Sequence, residues 1–304
     1  MPEYRAHVDF DISFVNGGGL SGTGFRLDLP SGDLEEPEIA VLLVRHLGLA
    51  LVDDVQLRGL RIVEEPHRGS RGVDIGAPGD GTRIVDLSHR IHAGLVTYPG
   101  LPAPVITPHL TREDSRATYA AGTEFAMDII TMIGNTGTYL DSPFHRYADG
   151  PDLAGLDLST LVGLRAEVFH LADGLTADRR GIRRETLVDR DVRGAAVLLH
   201  TGWDRRFGTP EYGVDAPFLT GEAAQWLIDA GAVLVGIDSV NIDDTESGGE
   251  RPAHSLLLSA GVHIVEHLTN LAQLPPRGAR FTAAPPAVED FGTFPVRAFA
   301  EVPA

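Results

Sequence analysis

Short apolar segments separated by turn residues constrain the fold of this chain more than any other feature of its sequence. After residue 82, segments with strand-like composition lie at 83–87, 125–133, 166–171, 195–200, 232–237, 261–266 and 294–300. Helix-like spacing of apolar residues occurs between some of them, at 185–189, 221–230 and 254–259. Because the two kinds of segment alternate only in part, the pattern predicts an α/β or α+β domain rather than a simple doubly wound sheet.

The N-terminal part of the chain has its own pattern. Strand-like segments lie at 7–14, 25–29 and 55–63, and a helical segment lies at 35–47 with Asp33 as the expected N-cap and Gly48 as the expected stop. The sequence therefore predicts a small ββαβ unit over residues 1–70, a linker over 71–81 and a catalytic domain over 82–304. The unit has no catalytic cluster of its own, so we expect it to mediate oligomer contacts or to cover a pocket.

Composition removes several kinds of chemistry. The chain has no cysteine and no lysine, which excludes disulfides, thiolate ligands and Schiff-base catalysis. Its formal net charge of -18 disfavours nucleic acids and anionic membranes as partners. The N-terminus lacks a signal-peptide pattern and no apolar run is long enough to span a membrane, so a cytoplasmic protein is expected.

Two motifs match known patterns only formally. Gly17, Gly19 and Gly22 fit G-x-G-x-x-G, but a strand pattern follows them where a nucleotide site needs a helix. Residues 263–267 fit the inverted zinc-protease pattern H-x-x-E-H, but their β-branched neighbours favour a strand over the helix that this chemistry needs. We interpret the first as a hairpin loop and the second as a strand.

The strongest cluster of polar residues is NTGTYLDSPFHRYADG at 135–150, which follows an apolar strand and contains several turn residues. It offers the carboxylate of Asp141 and the imidazole of His145, with Pro143 restricting the backbone between them. Polar loops that follow buried strands often carry functional sites. By themselves, however, an Asp and a His in a loop also fit a helix cap and a structural histidine.

This segment resembles the signature H-x-G-x-H-x-D-x-P-x-H of the metal-dependent cyclase family, which includes bacterial kynurenine formamidase and isatin hydrolase. Other segments fit the family in the same order along the chain: IVDLSHRI at 84–91, TYPG at 97–100, VLLHTGW at 197–203, LVGIDSVNID at 234–243 and FPVRAFA at 294–300. His254 and Glu266 are similar to the family's C-terminal pair of ligands. The resemblance covers residues 82–304.

The resemblance implies a compact swivelling β/β/α domain, a mixed α/β fold that hydrolyses amide or cyclic amide and lactone bonds with a divalent metal. It implies that Asp141, His145, His254 and Glu266 occupy ligand or catalytic positions. Asn135 and Tyr139 stand where the first two histidines of the signature are expected, and both are poor ligands for Zn²⁺. We therefore expect one Zn²⁺ or Mn²⁺ with an open position for substrate, bound by the four residues that fit the family: Asp141, His145, His254 and Glu266.

Two alternatives remain at the level of the sequence. Without metal, one of the carboxyls of Asp141 and Glu266 would take up a proton, and His145 or His254 could act as a general base beside that neutral acid. Asn135 and Tyr139 would then hold a substrate carbonyl, as in a cyclase, isomerase or dehydratase. The chain could also be a non-catalytic scaffold. In either enzyme, Tyr98, Trp203 and Arg146 are candidate contacts for a small-molecule substrate, and a homo-oligomer is expected.

Overall fold

The computed structural model describes residues 4–303 except 48, 50, 65–81 and 99. The chain divides into two compact units, Met1–Ala77 and Pro78–Ala304. The predicted linker and the expected helix stop at Gly48 lie outside the described residues. Within the described ranges, no helix has both the length and the hydropathy that a membrane span requires.

The N-terminal unit is a three-stranded antiparallel sheet with one helix. Its elements are β1 (Tyr4–Phe14), β2 (Gly19–Leu29), α1 (Glu36–His46) and β3 (Val52–Glu64). Strand β1 lies between β2 and β3, and its inward side chains pack with Ile39 and Leu43 of the helix. The predicted order of elements, ββαβ, is confirmed.

Two details of this unit differ from the sequence-based prediction. The glycine-rich segment is mostly strand, since β2 begins at Gly19, and Gly22 leaves room for the Phe10 ring, which would lie 2.6 Å from an added Cβ. The N-cap is Glu35, and Asp33 does not have this role. Glu35 forms a capping box with Glu38, which pairs the backbone donors at the start of the helix.

The larger unit contains the remaining strands and helices. The strands are β4 (Thr82–Asp86), β5 (Val105–Leu110), β6 (Met127–Thr131), β7 (Tyr139–Asp141), β8 (Leu164–His170), β9 (Gly181–Ile182), β10 (Ala196–His200), β11 (Phe218–Leu219), β12 (Leu234–Ile237), β13 (His263–Glu266), β14 (Arg280–Thr282), β15 (Thr293–Pro295) and β16 (Phe299–Pro303). The helices are α2 (Arg112–Ser115), α3 (Gly221–Asp229) and α4 (Pro252–Ser259).

Nine of these strands form one curled sheet in the order β15-β7-β13-β12-β10-β8-β14-β16-β4. The four central strands, β8, β10, β12 and β13, are parallel, and the flanking strands pair antiparallel to their neighbours. After β4, the chain crosses to the other end of the sheet: Ser88 forms a bridge with Leu268, and the His89 amide donates to the Thr138 hydroxyl at 3.0 Å. These contacts curl the sheet toward closure.

Both faces of the central strands are largely buried, which explains the almost continuous apolar sequences of β10 and β12. On one face, Val197, Val235 and Ile264 pack against helices α3 and α4. On the inner face of the curl, Leu198 and Val265 pack with residues of the antiparallel strands. The mixed α/β fold predicted for this part of the chain is confirmed.

Three segments differ from the predicted elements. Residues 184–186 form only a short 3-10 turn where a helix was predicted over 185–189. The segment 294–300 is divided between β15 and β16, so the prediction of one strand is wrong. The predicted loop over 135–150 contains β7 and a 3-10 turn at Pro143–His145. The sheet itself therefore positions the polar cluster.

A glycine in β12 makes a sharp test of this packing. A Cβ on Gly236 would lie 2.6 Å from Leu268 Cδ1 and 2.9 Å from Leu198 Cδ2, so Gly236→Ala should destabilise the larger unit by about 1–3 kcal/mol. Urea unfolding followed by tryptophan fluorescence reports on this unit alone, because Trp203 and Trp226 both belong to it. Gly174→Ala is the matched control, since nothing lies within 4 Å of the added Cβ. Equal losses in the two variants would contradict the packing described here.

Candidate metal centre

The site is built around β7, which lies between β13 and β15. In this register Asp141 is opposite Ile264 on one side and Thr293 on the other, and Tyr139 is opposite Glu266. Neighbouring positions of paired strands have Cβ atoms roughly 5 Å apart. The pairing of these three short strands thus brings together residues that are more than 120 positions apart in the sequence.

The Asp141 carboxylate is fully buried, and only one of its two oxygens accepts a hydrogen bond. Its Oδ1 accepts a hydrogen bond of 2.6 Å from the Thr293 hydroxyl. Its Oδ2 is buried without a hydrogen-bond partner among the residues that the structure describes, and it lies 3.5 Å from His254 Nε2. A buried carboxylate oxygen without a donor is costly, so this atom marks a place for a cation or a proton.

Asp243 fixes the orientation of His254. One oxygen of Asp243 accepts from the Ala253 amide at 2.7 Å, and the other accepts from the His254 amide at 3.0 Å and from His254 Nδ1 at 2.7 Å. Asp243 therefore satisfies two of the unpaired donors in the first turn of α4 and also holds the imidazole ring. Since Nδ1 donates to this carboxylate, Nε2 is left facing Asp141 and Glu266, at 3.5 and 3.7 Å.

His145 lies at the edge of the site, with 35% of its side chain exposed. Its Nδ1 is 2.8 Å from the Thr293 hydroxyl oxygen. Because that hydroxyl gives its single proton to Asp141, Nδ1 must be the donor to it, which leaves Nε2 as the ring nitrogen that can take up a proton. Gly292 permits this placement, since a Cβ there would lie 2.6 Å from the backbone N and Cα of His145.

Glu266 is buried beside Tyr139. The Tyr139 hydroxyl donates to Oε2 at 2.5 Å, and the Ile242 amide donates to Oε1 at 2.6 Å. Burial raises the pKa of Tyr139 well above its ordinary value, the Glu266 and Asp141 charges raise it further, and the Asn135 side chain opposes them. The tyrosine is therefore a neutral donor whose proton is already committed to Glu266.

The charges of the site are strongly coupled. Burial opposes ionisation of Asp141, but His254 and His145 outweigh it and hold the pKa of this carboxyl below its ordinary value. Burial also opposes protonation of His254, yet Asp141, Asp243 and Glu266 raise its pKa to about 10. Burial raises the pKa of Glu266 to about 7. Without a metal, the positive charge that balances these carboxylates therefore resides on His254.

The residues present fit a divalent cation. Asp141, His145 and His254 each offer a ligand atom, and these atoms lie within 4.8 Å of one another. Ligand atoms in a tetrahedral shell with bonds of about 2.1 Å lie about 3.4 Å apart, close to the spacing seen from His254 Nε2 to Asp141 and Glu266. The carboxylate of Asp243 on the far nitrogen of His254 is the arrangement typical of metal-binding histidines.

The predicted substrate contacts lie in different surroundings. Tyr98 is half-buried and lies near Glu266 and Arg251. Trp203 donates from Nε1 to the Tyr212 carbonyl at 2.8 Å and lines a cavity of about 510 Å³ whose lining includes none of the four predicted metal ligands. Arg146 is exposed, 3.4 Å from the Ser255 hydroxyl. Their roles in binding substrate remain predictions.

The second formal motif has the structure expected of it, whereas most of the first lies in a strand of the hairpin and not in its loop. The glycine-rich run belongs to a β-hairpin. His263–Glu266 is strand β13, and His263 Nε2 is paired with the Thr160 hydroxyl at 2.9 Å, so these residues do not form a helical zinc motif. Glu266 enters the candidate site on its own.

Sequence reasoning missed two residues of this site, Asp243 and Thr293. Asp243 lies 11 positions before His254, in the segment that leaves β12, and nothing in the sequence marks it as a helix cap. Thr293 stands 152 positions after Asp141. The only signal available was its place just before FPVRAFA, a segment with a strand-like sequence.

Comparison with known proteins places the larger unit in one family. A sequence model of the family described as putative cyclase matches residues 85–244, more than half of the chain. The kynurenine formamidase of Geobacillus thermodenitrificans is 31% identical over 216 residues, which are 70% of this chain and 95% of that protein. The isatin hydrolase of Roseibium aggregatum is 28% identical over 204 residues, 60% of this chain and 77% of that protein.

Solved structures agree with the fold. Isatin hydrolase A from Ralstonia solanacearum superposes with a TM-score of 0.63 and 25% identity, covering 73% of this chain and 92% of that one. A protein described as a potential metal-dependent hydrolase with cyclase activity gives a TM-score of 0.59 and 25% identity, covering 73% and 99%. The predicted enzyme type, an amidohydrolase or cyclase, is confirmed at the level of these relatives. The chain belongs to the putative cyclase family.

Proposed function

We propose that this protein hydrolyses an amide, cyclic amide or lactone bond of a small molecule, using one divalent metal, Zn²⁺ or Mn²⁺. The observation that carries the proposal is the unpaired, buried Oδ2 of Asp141 facing the free Nε2 of His254. A buried carboxylate oxygen that accepts no hydrogen bond, 3.5 Å from an imidazole nitrogen that also faces Glu266, is the start of a metal site. The kynurenine formamidase and isatin hydrolase relatives support the choice of bond.

The ligands that support the metal best are Asp141 and His254. Glu266 lies 3.7 Å from His254 Nε2 but already accepts two hydrogen bonds, so it completes the set as a weaker ligand. When bound, a divalent cation supplies Lewis acidity toward a carbonyl oxygen and lowers the pKa of water. Asp243 keeps the imidazole of His254 aimed at this position through the bond to Nδ1.

His145 fits the role of general base and acid better than that of an inner ligand. Its Nδ1 is held by Thr293, its Nε2 is free, and its side chain reaches the solvent-exposed edge of the site. In this role Nε2 takes a proton from the attacking water and returns it to the leaving group. Thr293 links this base to Asp141 by one hydroxyl, so the two side chains keep a fixed separation.

A metal-free cyclase, isomerase or dehydratase is the second candidate, and one observation favours it. The pKa of Glu266 is raised to about 7, and its neighbour Tyr139 is a neutral phenol, so the site contains groups suited to moving protons near neutral pH. In this reading His145 remains the base. The non-catalytic scaffold is the third candidate and predicts neither metal nor turnover.

Metal content separates the first candidate from the others. Protein purified without a histidine tag should contain close to one Zn²⁺ or Mn²⁺ per chain by elemental analysis. Asp141→Asn should reduce that content at least tenfold, because it removes the charge and half of the ligand capacity of the buried carboxylate. Asp149→Asn, an exposed aspartate of the same segment, is the matched control and should keep the metal.

Activity then separates the roles of the residues. With the formamide of kynurenine and isatin as probe substrates, chelation and Asp141→Asn should each lower kcat/KM at least 100-fold. His145→Ala should lower kcat by a similar factor while the metal stays bound, since a base is lost and not a ligand. Turnover that survives chelation but not His145→Ala would instead establish the metal-free enzyme.

The protonation of His254 tests the electrostatics without any substrate. In the chelated protein, the ¹⁵N shifts of the His254 ring should report a protonated imidazole up to about pH 9, because its pKa is raised to about 10. A histidine whose pKa is higher in the folded protein than in the unfolded chain stabilises the fold at pH values below the pKa of the unfolded chain. This stabilisation is lost as the pH rises through the folded-state pKa of about 10. Asp243→Asn should lower the His254 pKa, whereas buried His263, with a pKa lowered to about 4, stays neutral as an internal control. Titration of His254 near 6.5 in the unaltered protein would contradict the arrangement.

A further inference from the structure

Arg251 carries a positive charge that no carboxylate of the described residues neutralises. Its side chain is partly buried, and within the described ranges no Asp or Glu oxygen lies within 4.0 Å of its guanidinium nitrogens. Its Nη1 atom donates instead to the backbone carbonyls of Glu250 at 2.7 Å and Asp244 at 3.2 Å. Buried or half-buried charges are normally paired. In a chain with 43 acidic and 25 basic residues, an arginine without a carboxylate is therefore a place where a ligand can supply the negative charge.

The acidic side chains just before α4 are bound to other groups. The Asp244 carboxylate lies 3.2 Å from Nη1 of Arg180, and the Glu246 carboxylate lies 3.0 Å from Nη2 of the same arginine. Asp243 accepts hydrogen bonds from the backbone at the start of the helix. The arrangement of this segment thus neutralises one arginine and leaves Arg251 with neutral acceptors.

One edge of the Arg251 guanidinium remains available to a ligand. The bonds to the two carbonyls both come from Nη1, so the Nε–Nη2 edge has no carboxylate among the residues that the structure describes. This edge can hold a carboxylate through two parallel hydrogen bonds. Arg297 does so elsewhere in the chain, where its Nε and Nη2 bind the two oxygens of Asp86 at 2.9 and 2.7 Å. Because the carbonyls restrain its guanidinium, Arg251 presents the same pair of donors in a fixed position.

Arg251 lies beside the candidate metal centre. It is the N-cap residue of α4, and His254 follows it by three positions, a spacing that puts two residues on one side of a helix. Burial raises the pKa of Tyr98, the Arg251 guanidinium lowers it through its charge and a hydrogen bond, and the Glu266 charge raises it. The phenol of Tyr98 is therefore close both to the arginine and to a carboxylate of the site.

The rest of the site would repel a negatively charged substrate. Three carboxylates are buried there, those of Asp141, Asp243 and Glu266, and the whole chain has a formal net charge of -18. An anionic group therefore needs a cation next to it in order to bind. Arg251 meets this need better than Arg146, which is exposed and lies 3.4 Å from a serine hydroxyl.

The free edge of Arg251 fits a carboxylate better than a phosphate. The two oxygens of a carboxylate match the two donors of one guanidinium edge. A phosphate at the start of a helix also uses the free backbone amides of the first turn. In α4 the amides of Ala253 and His254 already donate to Asp243, so they are not available to a phosphate.

We propose that Arg251 is a specificity-determining residue that selects substrates with a carboxylate, whose two oxygens it binds through Nε and Nη2. Because the amide or lactone bond of the same substrate lies at the metal centre, this selection rests on the proposed function. Arg251 has no part in the bond cleavage itself. Its removal should therefore affect substrates with a carboxylate and spare substrates without one.

Two aryl formamides that differ in one carboxylate test the selection. The unaltered protein should hydrolyse N-formylanthranilate, which has this group, with a kcat/KM at least about tenfold higher than that for formanilide, which lacks it. Arg251→Gln should lower kcat/KM for N-formylanthranilate by about 30-fold, mainly through KM, and that for formanilide by less than about threefold. Arg251→Lys keeps the charge without the two-donor edge, so its value should lie between them. Arg184→Gln, at an exposed arginine outside the site, is the matched control and should change neither substrate.

Equilibrium binding tests the same contact without turnover. Isothermal titration calorimetry with anthranilate and aniline compares the two ligands, and chelated protein is used so that no metal binds the carboxylate. Anthranilate should bind at least about tenfold more tightly than aniline, and Arg251→Gln should abolish this difference. Urea unfolding followed by tryptophan fluorescence checks that the variant is folded. If Arg251→Gln is unfolded, Arg251→Lys replaces it and should reduce the difference in both measurements.

The results distinguish the selection from the proposed function. Anthranilate binding that depends on Arg251, together with no hydrolysis of either formamide, would contradict the proposed reaction and support the selection. Equal binding of anthranilate and aniline by the unaltered protein overturns the selection, whatever the protein hydrolyses. A preference for anthranilate that survives in Arg251→Gln does the same. Inorganic phosphate that displaces anthranilate with equal affinity would also overturn it, because the arginine would then bind anions in general.

Discussion

Three buried carboxylates converge on one imidazole, and the surrounding structure has to offset that concentration of charge. Asp141, Asp243 and Glu266 are each at most 2% exposed, and all three lie close to His254. Burying a carboxylate is costly unless donors replace water. Most of the oxygens have such donors, from the Thr293 and Tyr139 hydroxyls and from three backbone amides. The Oδ2 atom of Asp141 remains, and a positive charge is needed beside it.

The same contacts hold the fold together and shape the site. Asp243 pairs the amides of the first turn of α4, which helps that helix to begin where its apolar face meets β12 and β13. The bond to His254 Nδ1 comes from the same carboxylate, so the position of the helix and the direction of the imidazole are set together. On the other side, β7 pairs with β13 and β15, and this fixes Asp141 relative to Thr293. The contacts that stabilise the start of α4 and the pairing of β7 therefore also set the geometry of the site.

The sequence predicts the parts of this structure that repeat a simple pattern. Strands β10 and β12 and helix α3 were predictable because a strand or helix buried on a known face needs a run or a period of apolar residues. Strand β7 was not, since Tyr-Leu-Asp has no pattern and becomes a strand only because β13 and β15 pair with it. The break between β15 and β16 was missed for a similar reason, because tertiary pairing decides it. Asp243 and Thr293 act through contacts across the fold that spacing along the chain does not reveal.

Asn135 and Tyr139 stand where the family signature has histidines, and this difference explains why only the Asp141 side of the site is suited to a cation. The Tyr139 hydroxyl donates to Glu266, so this carboxylate accepts hydrogen bonds from a phenol and an amide and has little left to offer a metal. Asp141 and His254 keep a free oxygen and a free nitrogen that face each other. A histidine at position 139 would instead offer a lone pair beside Glu266. Ligand atoms for a metal would then lie both near Glu266 and near Asp141. In the proposed metal hydrolase, the tyrosine thus favours a single cation on the Asp141 side, next to His145 at the solvent edge.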